Sequence, residues 1–316
     1  MKKRAISSLL AVLVAVSFIL PALAVETDEN EETPVETDAE VDTETGEEPG
    51  MEPEPESFIL LDGIPQFLEY EVLDGTTYVT VSSFVSMADP QADVTEEDGV
   101  VTVSSAVVEQ VVDDEGNTAD VVQETLSMTV STQVPYIVAN GRYLYARESI
   151  TTVNGYVAAP IRKLAEVFNL DVSYDAETNK VLLTHAEDRG AYIQSGDSYY
   201  DADALYWLSH IINAESGNQS LEGKIAVGNV VMNRVDSEEF PDTIYDVLHQ
   251  RNQFSPVVSG SIKKTPNDGS VVAAKLVMEG VEIVPTALFF NMKGISSYAS
   301  RNRNYVTTIG VHAFYV

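Results

Sequence analysis

The chain has 316 residues, with 18 Lys plus Arg against 50 Asp plus Glu, four His, no Cys and a formal net charge of −32. So acidic a balance excludes nucleic-acid binders and peripheral binders of anionic lipid, both of which need a basic footprint. The lack of cysteine excludes disulfide staples, Cys-ligated zinc, iron–sulfur clusters and a thiol nucleophile.

Lys2, Lys3 and Arg4 open the chain, Ala5 to Leu20 is an apolar run, and Ala22-Leu23-Ala24 has the small-x-small form of a processing site. Residues 1–24 therefore read as an export signal. The alternative is a retained membrane anchor, for which the run is a little shorter than the roughly 20 residues a spanning helix wants. Val25 to Ser57 carries 15 acids and no base, with almost no large apolar side chain. Such a segment cannot bury enough surface to offset its ordering entropy, so a disordered, self-repelling acidic linker is expected over residues 25–57.

From Phe58 to about Thr184 the chain shows short β-rich runs with alternation and turn signals, still strongly acidic at −16 over residues 58–187. An internal repeat is expected here. Asp62-Gly63 matches Asn140-Gly141, Tyr78-Val79 matches Tyr156-Val157 and Ala92-Asp93-Val94 matches Leu170-Asp171-Val172 at one spacing, and Val101 matches Val181 two residues further apart. In the second unit a turn at Asn154-Gly155 leads to a helix start near Pro160, and a hairpin turned at Asp175 to Asn179 closes the unit. The pattern resembles the copper amine oxidase N-terminal-like domain, an accessory module of exported proteins from Gram-positive bacteria. His185 is the only histidine in this region, too few for a copper site, so we expect a binding or spacing module of unknown ligand over residues 58–185.

Residues 186–202 read as a polar connection, and residues 203–316 as a different domain with helical periodicity and a charge near balance. Leu205, Leu208 and Ile212 form an apolar stripe that ends at Glu215, after which Ser216-Gly217-Asn218 breaks the helix. A carboxyl held against apolar neighbours is partly desolvated, which favours its neutral form and suits a general acid. Ser220 is placed to cap a second helix, Leu221 to Val235, apolar nearly all round and therefore buried. A third helix starts near Thr243-Ile244 and carries Val247 and Leu248.

Ile212-Asn213-Ala214-Glu215, Glu222-Gly223, Asn233-Arg234-Val235, Phe240-Pro241, Gln253-Phe254-Ser255, Ala287 to Asn291 and the closing Gly310-Val311-His312-Ala313-Phe314-Tyr315 resemble, in order, the catalytic domain of the spore cortex-lytic family of cell wall hydrolases. The sequence departs from that pattern at Val311, where the family usually has Asn, and around Ser261 to Ser270. The resemblance implies a lysozyme-like α+β domain that acts on peptidoglycan glycan strands, with Glu215 as catalytic acid and no cofactor. Two-carboxylate glycosidases need a second acid at a set separation. A lytic transglycosylase instead lets the muramic acid 6-hydroxyl attack, so one Glu serves as acid and then base.

Glu222 is the nearest second acid, either a substrate contact or a charge at a helix N-terminus. Gln253, Asn291, His312 and Tyr315 are candidates for lining the sugar cleft, Tyr315 because strand alternation turns it away from Phe314. Phe254, Phe289 and Phe314 are expected in the core. A zinc amidase using His210, His249 and His312 lacks the His-x-x-x-His spacing.

The expected architecture is thus multidomain α+β: a duplicated β-rich accessory domain followed by a lysozyme-like catalytic domain. The expected partner is peptidoglycan in the cell wall or spore envelope, outside the membrane of a Gram-positive-type bacterium. An N-acetylmuramoyl-L-alanine amidase, a hydrolytic muramidase and a catalytically inactive wall-binding protein stay open as alternatives.

Overall fold

The computed structural model describes residues 58–112, 117–147, 149–251 and 253–316. The export signal and acidic linker expected before Phe58 lie outside the described residues, none of whose helices is long and apolar enough to cross a membrane. The fold is mixed α+β, with four sheets among the described residues.

The N-terminal region begins with β1 (Ile59–Leu61), β2 (Ile64–Gln66), β3 (Tyr70–Leu73), β4 (Thr76–Thr80), α1 (Val81–Ala88), β5 (Asp93–Glu97) and the long β6 (Val100–Val112). It returns through β7 (Thr118–Ser131) and continues with β8 (Tyr136–Ala139), β9 (Arg142–Tyr145), β10 (Thr151–Val153), β11 (Tyr156–Pro160), α2 (Ile161–Val167), β12 (Leu170–Asp175) and β13 (Lys180–His185). Four strands, a helix and two strands thus run in the same order on either side of β7. Five of the hairpins turn on Asp-Gly or Asn-Gly pairs, at 62–63, 74–75, 98–99, 140–141 and 154–155, with positive φ at both residues. That is the two-residue geometry whose twist matches the flanking strands.

The sheets interleave these elements in the orders β12-β13-β1-β2, β10-β11-β4-β3 and β5-β6-β7-β8-β9. The closing hairpin of the second set therefore lies beside the opening hairpin of the first, with β1 parallel to β13. In the middle sheet β4 and β11 pair antiparallel as Thr80↔Ala158, Val79↔Ala159 and Tyr78↔Pro160, a pattern symmetric about Val79 and Ala159. The connection from β9 to β10 is longer than that from β2 to β3. Phe84, Leu126, Met128, Leu144, Leu164 and Leu183 fill the shared core.

The C-terminal region comprises α3 (Gly196–Tyr199), α4 (Ala202–Ser216), α5 (Leu221–Val235), α6 (Ile244–His249), α7 (Ser255–Ser259), a 3₁₀ turn at Ser261–Lys263, α8 (Asp268–Met278), β14 (Phe289–Met292), α9 (Tyr298–Asn302), β15 (Tyr305–Ile309) and β16 (His312–Tyr315). Side chains of Asp201, Ser220 and Asn267 cap α4, α5 and α8 by accepting backbone N–H bonds. As its all-round apolar sequence predicts, α5 is buried. It crosses α4 and α8 so closely that a Cβ on Gly228 would sit 2.9 Å from both Ile212 Cδ1 and Val277 Cγ2. The strands β14, β16 and β15 form an antiparallel sheet in that order beside this helical core.

The segment 186–202, expected as a polar connection, is packed. Tyr192 and Ile193 belong to the N-terminal core. The Tyr200 hydroxyl accepts from the Tyr143 N–H at 3.1 Å and donates to Glu279 Oε1 at 2.6 Å. Arg142 grips the same carboxylate with two N–H groups, Nε at 2.9 Å, and lies over the Tyr199 ring. Lys275 Nζ donates to the Gly141 carbonyl at 3.0 Å. Burial of Arg142 and Glu279 removes the solvent screening that weakens surface ion pairs, so the N-terminal sheet is held firmly against the end of α8.

Candidate active site

Helix α4 buries Leu208, Ile211 and Ile212 completely and stops at Gly217, which leaves Glu215 on the last turn. That turn is pinned from the side. Asn213 Oδ1 accepts the Asn267 N–H at 3.1 Å, and Asn267 Nδ2 donates to the Gly217 carbonyl at 2.9 Å. Beyond the turn, Lys224 Nζ donates to the Gln219 carbonyl at 2.6 Å, and Gln219 Oε1 accepts the Val311 N–H at 3.2 Å. Val311 therefore contributes its backbone to this connection, on the residue just before His312.

Glu215 opens into a cleft of about 780 Å³ that it shares with Arg234, Gln253, Phe254, Ser255, Val258, Ser259, Phe290, Asn291, Met292 and His312. Burial raises the Glu215 carboxyl above the ordinary glutamate range. Its place at a helix C-terminus, where the dipole disfavours negative charge, acts in the same direction. No ion pair or side-chain hydrogen bond among the described residues offsets this. Burial lowers His312, which is therefore neutral at neutral pH and rests edge-on against Phe290.

Arg234, which the sequence offers only within the Asn233-Arg234-Val235 motif, is a wall of the cleft. It is 4% exposed and sits among the rings of Phe240, Phe254 and Phe289, with Nε donating to the Leu288 carbonyl at 2.7 Å. Desolvation lowers its pKa to about 10, so it stays cationic at neutral pH. The signal for it was a lone guanidinium at the end of a helix apolar on every face. Arg234 Nη1 and His312 Nδ1 are buried without a hydrogen-bond partner among the described residues. Buried polar atoms are nearly always paired, so two unpaired ones in one cleft mark positions suited to a ligand.

The cleft gathers four of the six sequence candidates: Glu215, Gln253, Asn291 and His312. Asn291 spends its amide locally, with Nδ2 donating to the Met292 carbonyl and Oδ1 accepting from Ser297 Oγ, so it shapes the rim. Glu222 is exposed on the first turn of α5 and does not line the cleft. Tyr315 does not line it either. Alternation along β16 turns it from Phe314 as expected, but His312 and Phe314 share the face toward Phe290, and Tyr315 packs on the other with Ala299, Ala313 and Phe289. Phe254 and Phe314 are buried, and Phe254 also lines the cleft. Among the described residues lining the cleft, Glu215 is the one acid.

The sequence of this region matches the cell wall hydrolase family over residues 218–315. Residues 218–315 carry a cell wall hydrolase domain. The match begins three residues after Glu215, so helix α4 supplies the cleft carboxyl from outside the matched stretch. The chain is similar to the spore cortex-lytic enzyme of Bacillus cereus, 28% identical over 129 residues, covering 40% of this chain and 49% of that one. The enzyme of the same name from Oceanobacillus iheyensis is 29% identical over 116 residues, covering 36% and 42%. The chain thus spans less than half the length of these two curated relatives. Among solved structures, the catalytic domain of the Bacillus cereus SleB protein is 27% identical with a TM-score of 0.35, covering 37% of this chain and 92% of that one. The catalytic domain of a germination-specific lytic transglycosylase from Bacillus anthracis is 26% identical with a TM-score of 0.36, covering 39% and 100%.

Residues 65–183 match the copper amine oxidase N-terminal domain. The donor set here does not suit copper. His185, the region's single histidine, bonds to Asp62 at 2.6 Å, and no group of three His, Cys, Asp or Glu among the described residues is arranged to hold a metal.

Proposed function

We propose that the protein is a peptidoglycan hydrolase that cleaves glycan strands, with Glu215 as general acid and then base. The observation that carries this reading is a desolvated, unpaired carboxyl in a cleft of the cell wall hydrolase domain that holds no second acid among its described lining residues. In the proposed reaction the Glu215 carboxyl gives its proton to the glycosidic oxygen as the bond to the muramic anomeric carbon breaks. The muramic 6-hydroxyl then attacks that carbon, and the Glu215 carboxylate takes the hydroxyl proton, which restores the acid. Arg234 Nη1 and His312 Nδ1 are assigned to hydrogen bonds with the sugar's acyl and hydroxyl groups. Gln253 is assigned to the open side of the cleft.

The same reading takes the repeated element order about β7 as an internal duplication. It takes the N-terminal residues as an export signal with an acidic spacer, and the cell wall or spore envelope as the place of action. The names of the relatives support spore cortex as the substrate.

Digesting purified peptidoglycan with the protein and with Glu215→Gln tests the mechanism. Anhydro-muramic ends that vanish in the variant are the expected result. New reducing ends would instead mean a hydrolytic muramidase, freed stem peptides an amidase, and full activity in the variant would remove Glu215 from the chemistry.

A further inference from the structure

A second concavity, about 880 Å³, lies in the N-terminal region, away from the cleft residues. Residues 58–187 contain 21 acids and five bases. Three of those bases, Arg147, Arg162 and Lys163, line this one groove, and among its described lining residues none is acidic. The groove is thus a local positive patch on an otherwise acidic region, and a patch of one sign in a concavity attracts ligands of the opposite charge.

The pairing of these bases points the same way. Lys163 reaches Glu166 at 3.0 Å, a half-exposed surface pair of little strength. Arg162 gives one N–H to the Val172 carbonyl. No carboxylate among the described residues lies within ion-pair distance of Arg147 or Arg162. The region's other structural arginine, Arg142, shows what a purely architectural base looks like here, being buried and gripped by Glu279.

Aromatic surface flanks the charges. Tyr70 stacks on Phe58 with ring centroids 4.8 Å apart, and Tyr174 is 53% exposed. Tyr70 and Tyr174 come from edge strands of two different sheets, β3 and β12. Exposed ring faces suit the apolar faces of sugar rings, while guanidinium and ammonium groups suit carboxylates. The groove also shares Tyr145, Arg147 and Lys163 with a smaller hollow whose far wall is Glu279 to Pro285 of the C-terminal region.

We infer that this groove is a second binding site for a carboxylate-bearing glycan, the peptidoglycan strand itself, held at a fixed distance from the cleft by the Arg142–Glu279 contact. The inference rests on the substrate class proposed above. Engagement of one polymer at two rigidly linked sites raises the effective concentration at the cleft without any new contact there.

The test is a titration of the full chain, carrying Glu215→Gln so that strands stay intact, with soluble peptidoglycan strands bearing stem peptides. Arg147→Glu with Arg162→Glu is expected to weaken binding about tenfold, the loss being largest at low salt. Arg147→Gln alone, at an exposed side chain that makes no side-chain hydrogen bond or ion pair among the described residues, is expected to weaken it in the same direction. Strands with amidated carboxylates should bind the unaltered groove as weakly as the charge-reversed protein binds native strands. Unchanged affinity in both groove variants would overturn the inference, as would binding that vanishes once phosphate polymers are stripped from the wall material. If the digestion assay removes Glu215 from the chemistry but the groove variants still bind weakly, the cleft reading alone has failed.

Discussion

The backbone N–H of Val311 donates to Gln219 Oε1, and through that bond the turn before His312 is fastened to the loop after Glu215. Two residues that line the same cleft, Glu215 and His312, thus stand on segments tied through one amide side chain. Gln219→Leu removes the acceptor and leaves the backbone donor unpaired. We expect a loss of about 1 kcal/mol in unfolding free energy by denaturant titration, with a larger proportional loss in kcat than in apparent affinity for glycan. An unchanged kcat would show that the two elements are positioned by packing alone.

Glu215 carries a pH signature in stability. Its folded pKa lies above its unfolded value, so the fold favours the protonated form. That contribution is fully present below the unfolded pKa, near ~4.3, and is lost as pH rises through the folded value. Glu215→Gln, neutral at every pH, should therefore melt at a higher temperature than the parent protein at pH 7 to 8. The gap should close on acidification. A variant less stable than the parent at pH 8 would mean that the carboxylate is satisfied in the fold.

His312 acts with the opposite sign. Burial depresses its folded pKa, so its contribution is present above the unfolded value, near ~6.5, and fades as pH falls through the folded one. His312→Gln should flatten the difference in stability between pH 7 and pH 5 measured by thermal unfolding. NMR titration of the imidazole should give a midpoint below the ordinary histidine range, and a midpoint above it would contradict the assignment.

The contact between regions makes a further prediction. Glu279, at the C-terminal end of α8, ties Arg142 and Tyr200 to that helix, and Glu279→Ala leaves the Arg142 guanidinium buried and uncompensated. We expect about 3 kcal/mol of destabilisation, and a smaller cost for Arg142→Ala with Glu279→Ala than the two single losses combined. Additive losses in a double-mutant cycle would mean that the pair is not coupled.

Much of the site was legible because its signals are local. The stripe of Leu208 and Ile212 and the break at Gly217 place Glu215 on a helix end, and Ser220 announces the next helix. What stayed hidden depends on which face a neighbour covers. Alternation separates Tyr315 from Phe314, but only the contact of His312 with Phe290 decides which face meets the cleft. Arg234 was hidden for a similar reason, since its role appears only when three phenylalanines from separate segments close around it. The loop between β9 and β10, longer than that between β2 and β3, carries no sequence signal of its length.

The parallel pairing of β1 with β13 has a consequence for biosynthesis. Ile59 meets Val181, more than a hundred residues downstream, and β1 is an inner strand of its sheet. A nascent chain that has emerged only as far as α2 holds the first strand with one neighbour missing and an open hydrogen-bonding edge. The N-terminal region therefore closes only after Leu183 has emerged, and chain ends that stall earlier present that edge to other chains.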